Sequence, residues 1–500
     1  MDRLEDLIKK NQYTFTYTDD TGTVTGDVIY KRSLQYMSYL SKNGVDTGDR
    51  VIVMSDRCLD FIIATFGILS LGAIVVPVSG QASFEIILEI IDIARPSSIC
   101  ISGQGINNML KSYHMNDMKI LQIGDCDFEN IELIEHTNSS DDGSIAFVLM
   151  SSGTTGKRKG IALTHEAIIS NIQAIVEYMK PDQNDRFLSL KNFVHVSTLV
   201  GEIMTCIYAG AHLYVPNPVC SMAKTLRNIE KFAPTLLFAN PQILIQLMKY
   251  VKKKGADISV REIYSMGALL KQAEAKELSE AFKNSQIRNI YGLTEAGPRV
   301  TAQTGNDLAK YGSVGRSVKD ASIYIKNQGT QKECKTNESG VVCVKTKGLM
   351  LGYVNTGFQI SYINREDYFE TGDLGYVDQD GDLFIVGRAN DIINVSGNNI
   401  NPNLLEERIM MLDGIGDCIT FGVPDHIYRN RIVCLIVEGS RSICERELVQ
   451  HCNRYLYSYE RPREYIRCKS IPVNEYHKKS RYWLSQQYQM GLLEYDKLTF

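Results

Sequence analysis

The twelve cysteines of this 500-residue chain include no C-x-x-C pair. The closest are Cys444 with Cys452 and Cys334 with Cys343, and neither spacing suits a zinc site. Reduced thiols in a cytoplasmic protein are the reading that follows. A basic excess is also lacking: 54 Lys and Arg against 58 Asp and Glu leave a formal net charge of −4, with both signs interspersed. That excludes the one-sided basic face of a nucleic-acid binder, and the run Lys252-Lys253-Lys254 reads as a solvated helix end. The opening "MDRLEDLIKK" is charged where a secretory signal has its apolar core. One apolar run, Phe61 to Val78, has roughly the length of a membrane span, but Gly67, Gly72 and Pro77 interrupt it. It reads as a buried helix followed by a short buried strand, so no membrane insertion is expected. Internal repeats and low-complexity tracts are absent as well.

What is present is an ordinary globular composition, 44% hydrophobic and 22% charged, in a chain too long for one core. The first three hundred residues alternate short apolar runs with amphipathic stretches. Residues 49–55, 72–78, 96–102, 145–152 and 234–240 read as buried strands. "THEAIISNIQAIVEYM" reads as a helix with Thr164 as its N-cap. This alternation predicts an α/β fold with largely parallel sheets. From about Ala321 the pattern changes to antiparallel strands joined by turns, with Asp380-Gly381 as a hairpin signal. After "GRAND" a smaller α+β segment begins, which places a boundary within Arg388–Asp391.

One stretch concentrates chemistry. "SSGTTGKRKG", Ser151 to Gly160, follows a predicted strand and precedes the helix that starts near Thr164; it carries hydroxyls, turn glycines and three cations. Backbone N–H groups and hydroxyls of such a loop wrap phosphate oxygens while lysines offset their charge. The spacing is not that of a Walker A loop: Gly153 and Gly156 are too close, and Lys157 is followed by Arg158. A flexible basic surface loop is the alternative on these residues alone.

"MSSGTTGKRKGIALTH" resembles the phosphate-binding signature of the adenylate-forming superfamily, which includes acyl- and aryl-CoA synthetases, luciferases and peptide-synthetase adenylation domains. Four further segments match in the family's order: "YGLTEAGP", "GSVGR", "YFETGDLGYVDQDGDLFIVGR" and "NDIINVSGNNINP", with a fainter match from "YERPREYI" to "KKSR". The resemblance implies a large N-terminal domain of β-sheets flanked by helices with a small β-barrel-like subdomain, spanning 1–389. A small mobile α+β C-terminal domain, 390–500, would follow a hinge near Asn390. It further implies that ATP, with Mg²⁺, activates a carboxylic acid to an acyl-adenylate, which is then captured by the thiol of CoA or of a carrier protein's phosphopantetheine.

The implied roles fall on individual residues. Ser151, Ser152, Gly153, Thr154, Thr155, Gly156 and Lys159 would hold the β- and γ-phosphates. Thr294 would offer a hydroxyl to the α-phosphate, and Glu295 an oxygen to Mg²⁺, which prefers one carboxylate plus phosphates. Tyr291 would lie against adenine, and Gly267, Ala268, Asn289 and Gly292 join it as candidate nucleotide-binding residues. Asp373 would accept the ribose hydroxyls with Arg388 as its partner; the alternative is a surface salt bridge. His195 would border the acyl pocket, although Asn192 stands where the family has proline. The catalytic lysine maps to Lys478, with Arg481 three residues on; Tyr476-His477 replaces the usual Ser-Gly, and Lys479 competes for the role. Asn390 stands at the hinge where Asp or Lys is usual, and Gly397 would lie along the pantetheine tunnel.

Amino-acid-activating relatives carry an aspartate just after the His195 segment; "NFVHVSTLVGE" has none, and Glu202 comes late in it. The expected substrate is an aryl or short-to-medium acyl acid without an α-amino group. The candidate pocket is His195, Ser197, Val200, Asn240, Met266, Gly267 and Tyr291. Three readings stay open: an acyl- or aryl-CoA ligase, a free-standing enzyme loading a separate carrier protein, and a non-catalytic nucleotide-binding regulator.

Overall fold

The computed structural model describes residues 3–103, 118–123, 131, 133, 144–152, 158–216, 221–256, 258–304, 310–327, 329–395, 398–426, 429–473 and 479–493. By compactness the chain divides into two units. The first comprises Met1–Tyr324, Cys343–Phe369 and Val377–Phe384; the second comprises Ile325–Val342, Glu370–Tyr376 and Ile385–Phe500. The strands Ala321–Lys326, Gly340–Thr346, Phe369–Val377 and Leu383–Arg388 form a four-stranded sheet, and the division falls within them.

Two large sheets build the first unit. In one, Gln286–Tyr291, Glu262–Ser265, Leu236–Ala239, Arg186–Ser189, His212–Tyr214 and Thr16–Asp19 run parallel in that spatial order. In the other, Ile145–Ser152, Ile74–Ser79, Arg50–Ser55, Ser98–Ser102 and Lys119–Gln122 run parallel. Parallel strands buried on both faces read as continuous apolar runs, which is why all five strand segments expected from the sequence are strands here. The apolar run from Phe61 resolves into the buried helix Cys58–Ser70 and the strand Ile74–Ser79. No helix among the described residues is long and apolar enough to cross a membrane. The helix His165–Met179 starts where expected, with the Ala167 N–H donating to Thr164 Oγ1 at 3.1 Å. Lys252, Lys253 and Lys254 form the exposed last turn of Pro241–Lys254.

One difference bears on the site. A strand, Arg158–Thr164, stands between the basic loop and the helix. It pairs antiparallel with Ile145–Ser152, matching Ser151 with Lys159 and Ser152 with Arg158. The helix N-terminus therefore lies at the end of this strand remote from Arg158. The other edge of this strand pairs with Gly352–Asn355.

The second unit holds the antiparallel strands Ile415–Asp425 and Arg429–Glu438, with Glu464–Arg467 parallel to the latter. Side chains alternate across this sheet. Cys418, Ile432, Cys434 and Ile436 join Leu405 and Ile409 of the helix Pro402–Met410 and Leu448 and Cys452 of Glu445–Tyr455. Ile419, Phe421, Val433 and Leu435 pack instead with Leu484 of the helix Arg481–Gln489. In the first unit's segment Val377–Phe384 the expected hairpin forms at Asp380-Gly381, where the Asp378 N–H donates to Asp382 O at 3.0 Å and the Gly381 N–H to Asp378 O at 3.1 Å. The ten described cysteines are free thiols.

Gly160 tests how closely the middle strand is held. A Cβ there would stand 2.9 Å from both Val148 Cγ1 and Val354 Cβ, on the two flanking strands. Gly160→Val is expected to cost about 1–3 kcal/mol by overpacking. The check is the urea midpoint of unfolding; an unchanged midpoint would show that the strands part without cost.

Candidate functional site

The strand Arg158–Thr164 positions Lys159, whose Nζ lies 4.9 Å from the centroid of the Tyr353 ring. Such a contact attracts an ammonium to the ring's negative face. Tyr353 belongs to the neighbouring strand Gly352–Asn355 and donates its hydroxyl hydrogen to Glu295 Oε1 at 3.3 Å. Burial, with the Glu295 carboxylate beside it, pushes the Tyr353 hydroxyl well above the usual phenol range. Glu295 is further anchored through its backbone, its carbonyl accepting the Met350 N–H at 2.8 Å. Lys159 and Glu295, 136 positions apart in the chain, thus share one tyrosine. Arg158 is differently engaged: its Nε lies 2.9 Å from Glu89 Oε2, and its backbone N–H donates to Glu89 Oε1 at 3.0 Å. Ser151 and Ser152 end the first strand of the hairpin. Gly153, Thr154, Thr155 and Gly156 lie outside the described residues.

The nucleotide candidates cluster at the C-terminal ends of parallel strands, where open α/β sheets place their ligands. Gly267 and Ala268, both exposed, follow Glu262–Ser265. Asn289 pairs in register with Ser265 on the adjacent strand, is buried, and donates Nδ2–H to Ser313 O at 3.0 Å. Tyr291 ends that strand. After Gly292 the chain turns through the 3₁₀ helix Thr294–Ala296 and folds back, the Val300 N–H donating to Tyr291 O at 2.8 Å. Thr294 and Glu295 therefore sit at the tip of a closed loop, both half-buried.

Of the acid-pocket candidates, His195 and Ser197 are in contact, Nδ1 to Oγ at 3.0 Å, and His195 caps the helical segment that begins at Val196. Val200 and Met266 lie in the main hydrophobic core of this unit. Asn240 caps Pro241–Lys254, its Oδ1 accepting the Ile243 N–H at 2.9 Å. Sequence reasoning missed Lys191 and Arg299. Lys191 Nζ donates to Ser197 Oγ at 3.0 Å and pairs with Glu202, and Arg299 Nη2 stands 3.8 Å from the same carboxylate. Their signal was a charge inside an apolar stretch, as in "LSLKNFVHV". Tyr353 was missed too, and nothing local marks it.

Within the second unit, Asp373 and Arg388 meet as expected. Arg388 Nε lies 3.0 Å from Asp373 Oδ1, with the aspartate nearly buried and the arginine half-exposed. The Asp373 N–H donates to Thr371 Oγ1 at 3.1 Å, and the Thr371 hydroxyl donates to Val342 O at 2.9 Å, which ties the carboxylate's backbone to the neighbouring strand. Lys478 and Gly397 lie outside the described residues. Lys479 is held in an ion pair with Asp417. Arg481 is the hub of this unit: its Nη2 lies 2.8 Å from Glu406 Oε2, its Nη1 3.2 Å from Asp391 Oδ2, and its Nε–H donates to Thr420 O at 3.0 Å. Glu406 also accepts the Thr420 N–H and hydroxyl, at 2.6 and 3.0 Å.

Residues 7–354 match the AMP-binding enzyme family, and residues 404–478 match the AMP-binding enzyme C-terminal domain. The chain belongs to the AMP-binding enzyme family; it is an acid–thiol ligase. Among similar proteins, a long-chain-fatty-acid–CoA ligase of Bacillus subtilis is 27% identical over 485 residues, covering 89% of this chain and 86% of that one. A 4-coumarate–CoA ligase of Vanilla planifolia is 26% identical over 469 residues, covering 87% and 83%. ATP-bound MatB from Rhodopseudomonas palustris shares the fold with a TM-score of 0.87 at 20% identity, covering 98% of this chain and all of that one. The expected architecture, a large N-terminal α/β domain with a small C-terminal domain, is that of these neighbours.

Removing the Arg481 side chain would leave the buried Glu406 carboxylate without its cation. Arg481→Ala is expected to destabilise the second unit by about 3–5 kcal/mol. Hydrogen exchange along Ile415–Asp425 and Arg481–Gln489 checks this, and unchanged protection there would show that Glu406 has another cation in reach.

Proposed function

We propose that this chain activates an aryl or short-to-medium acyl carboxylic acid, lacking an α-amino group, with ATP and passes the acyl group to the thiol of CoA. A carboxylate oxygen attacks the α-phosphorus of ATP, the bond to the β-phosphate breaks, and pyrophosphate leaves. The thiol sulfur then attacks the acyl carbon of the mixed anhydride and AMP departs.

The observation that carries this reading is the convergence of Lys159 and Glu295 on Tyr353 beside the hydroxyl-rich hairpin. A triphosphate needs a cation near its terminal phosphates and a carboxylate oxygen for its magnesium. Glu295, half-buried and oriented by Tyr353, fits one-carboxylate ligation of Mg²⁺. Bound there with the phosphates, Mg²⁺ would neutralise charge developing on the leaving pyrophosphate. Ser151, Ser152, Gly153, Thr154, Thr155 and Gly156 would supply N–H and hydroxyl donors to the β- and γ-phosphates, and Thr294 a hydroxyl to the α-phosphate. Tyr291, with Gly267, Ala268, Asn289 and Gly292, would take the adenine end, and Asp373 with Arg388 the ribose. His195 would receive the acid. We place the hinge at Asn390, dividing the chain at 389/390, because the lysine must be near for adenylation and clear the site for the thiol. Relatives named as CoA ligases favour CoA over a carrier protein as acceptor. Gly397 would line the thiol's path.

Lys478 takes the catalytic role in this reading, and the pairing of Lys479 with Asp417 supports that register. Lys478→Ala is expected to reduce acid-dependent pyrophosphate release by roughly 100-fold or more, the scale of a lost charge-stabilising donor. Lys479→Ala should leave the rate within a few-fold; the reverse outcome moves the catalytic position by one residue. Glu295→Ala should raise the Mg·ATP concentration needed for half-maximal rate, and an unchanged requirement would remove Glu295 from the metal. Pyrophosphate release with acetate, hexanoate, benzoate and an amino acid, repeated with CoA and with a phosphopantetheinylated carrier, tests the whole reading. Thioester on CoA supports it, thioester on the carrier alone replaces the acceptor, and no release with any acid favours a non-catalytic nucleotide binder.

A further inference from the structure

Beneath the His195 segment lies a buried charged cluster that the ATP chemistry leaves unused. Residues 196–209 are helical, with a π-helical stretch at Leu199–Met204 that contains Glu202. Widened turns of this kind recur at functional sites. Glu202 accepts a hydrogen bond from Ser189 Oγ and pairs with Lys191. Arg299 and Glu202 are each 0% exposed and Lys191 only 8%. The Arg299 guanidinium lies against Gly201, where a Cβ would come within 2.6 Å of Nη2. Any side chain at 201 would displace it. Two cations and one carboxylate are thus withdrawn from water, an arrangement that apolar side chains of similar volume would match or exceed in stability. Stability does not account for it.

The hydrogen bonds have a direction. The Ser197 backbone N–H donates to His195 Nδ1 at 3.3 Å, so Nδ1 carries a lone pair. The Ser197 hydroxyl, 3.0 Å from the same nitrogen, must then donate to it. Its oxygen is left to accept, and Lys191 Nζ donates to it at 3.0 Å. Lys191 has no acceptor capacity as an ammonium, so the serine hydroxyl hydrogen cannot turn to it and is left for Nδ1, and the ammonium's own donation makes that hydroxyl a stronger donor. The ring proton of His195 is thereby kept on Nε2, and of the two contacts that hold it there the hydroxyl's, at 3.0 Å, is shorter than the backbone N–H's, at 3.3 Å.

We propose that Lys191 is a positioning residue for the acid substrate: gripped by Glu202 and acting through Ser197, it holds His195 in the Nε2–H tautomer, whose donor meets the incoming carboxylate. This rests on the reading of His195 as the residue that receives the acid. Burial pushes the Lys191 ammonium down to about 8, against the pull of Glu202 and with the push of Arg299. These two groups face Lys191 directly, and His195 faces it through Ser197. As pH rises through 8 the amine loses its charge and its hold on the serine weakens, so the acid should bind less well on the alkaline side.

The test uses the full chain with ¹⁵N-labelled histidine, and benzoate and hexanoate as probe acids. In the wild type, His195 should show Nδ1 as the unprotonated ring nitrogen. Lys191→Met and Ser197→Ala should each give a mixture of tautomers. Each should also raise KM for the probe acid about tenfold, the scale of one lost charge-assisted hydrogen bond, with KM for ATP and kcat within twofold. The wild-type rise in acid KM above pH 8 should vanish in Lys191→Met. If Lys191→Met does not fold, Lys191→Gln leaves the Arg299–Glu202 pair intact, offers Ser197 an acceptor in place of the ammonium and is expected to behave as Lys191→Met. An unmixed Nε2–H tautomer in the variants, or KM for acid and ATP rising together, overturns the proposal. The tautomer spectrum decides it even if no probe acid releases pyrophosphate, which would count against the proposed function alone.

Discussion

A single strand, Arg158–Thr164, carries the arrangement of the first unit's site. It is paired on both edges, with Ile145–Ser152 on one side and Gly352–Asn355 on the other, and Gly160 lets both neighbours approach to contact. That double pairing sets where the basic hairpin ends and which face Lys159 presents. It also fixes which residue of the adjacent strand stands beside Lys159, since register in a sheet decides the face of every side chain. Tyr353, paired in register with Ile161, lies diagonally across on the face that carries Lys159 and reaches Glu295. A slip of one residue would turn Lys159 to the opposite face and separate the cation from the carboxylate.

The second unit solves a different problem, that of buried charge. Glu406 is nearly inaccessible, and Arg481 holds it together with Asp391 and the Thr420 carbonyl. An arginine fits because its planar fork offers several donors at fixed angles. The pairing ties the last described helix to the turn Ala389–Asp391 that contains Asn390. The first unit buries charge as well, but its Lys191–Glu202–Arg299 group carries one more cation than anion and connects to a half-exposed histidine. The same physics anchors a helix in one unit and orients a ring in the other.

Much of this was legible in the chain. Strands buried on both faces must be apolar throughout, so the parallel strands announced themselves, and Thr164 announced the start of a helix because a hydroxyl there satisfies an otherwise unpaired N–H. Asp373 and Arg388 were legible because they flank one hairpin, whose geometry makes residues distant along the chain into neighbours. The strand between basic loop and helix was less so. "RKGIALTH" is short and glycine-containing, and its extended form is decided by partners at 145–152 and 352–355 rather than by its own residues.

The sequence by itself therefore determined the α/β class, the order of the motifs and the chemistry of their side chains, since residue type and local spacing carry these. Only the tertiary structure decided that Tyr353 joins Lys159 to Glu295, that Lys191 and Arg299 close on Glu202, and that Arg481 organises Asp391 and Glu406. Each of those contacts needs a strand register or a buried position, and these depend on where remote segments pack.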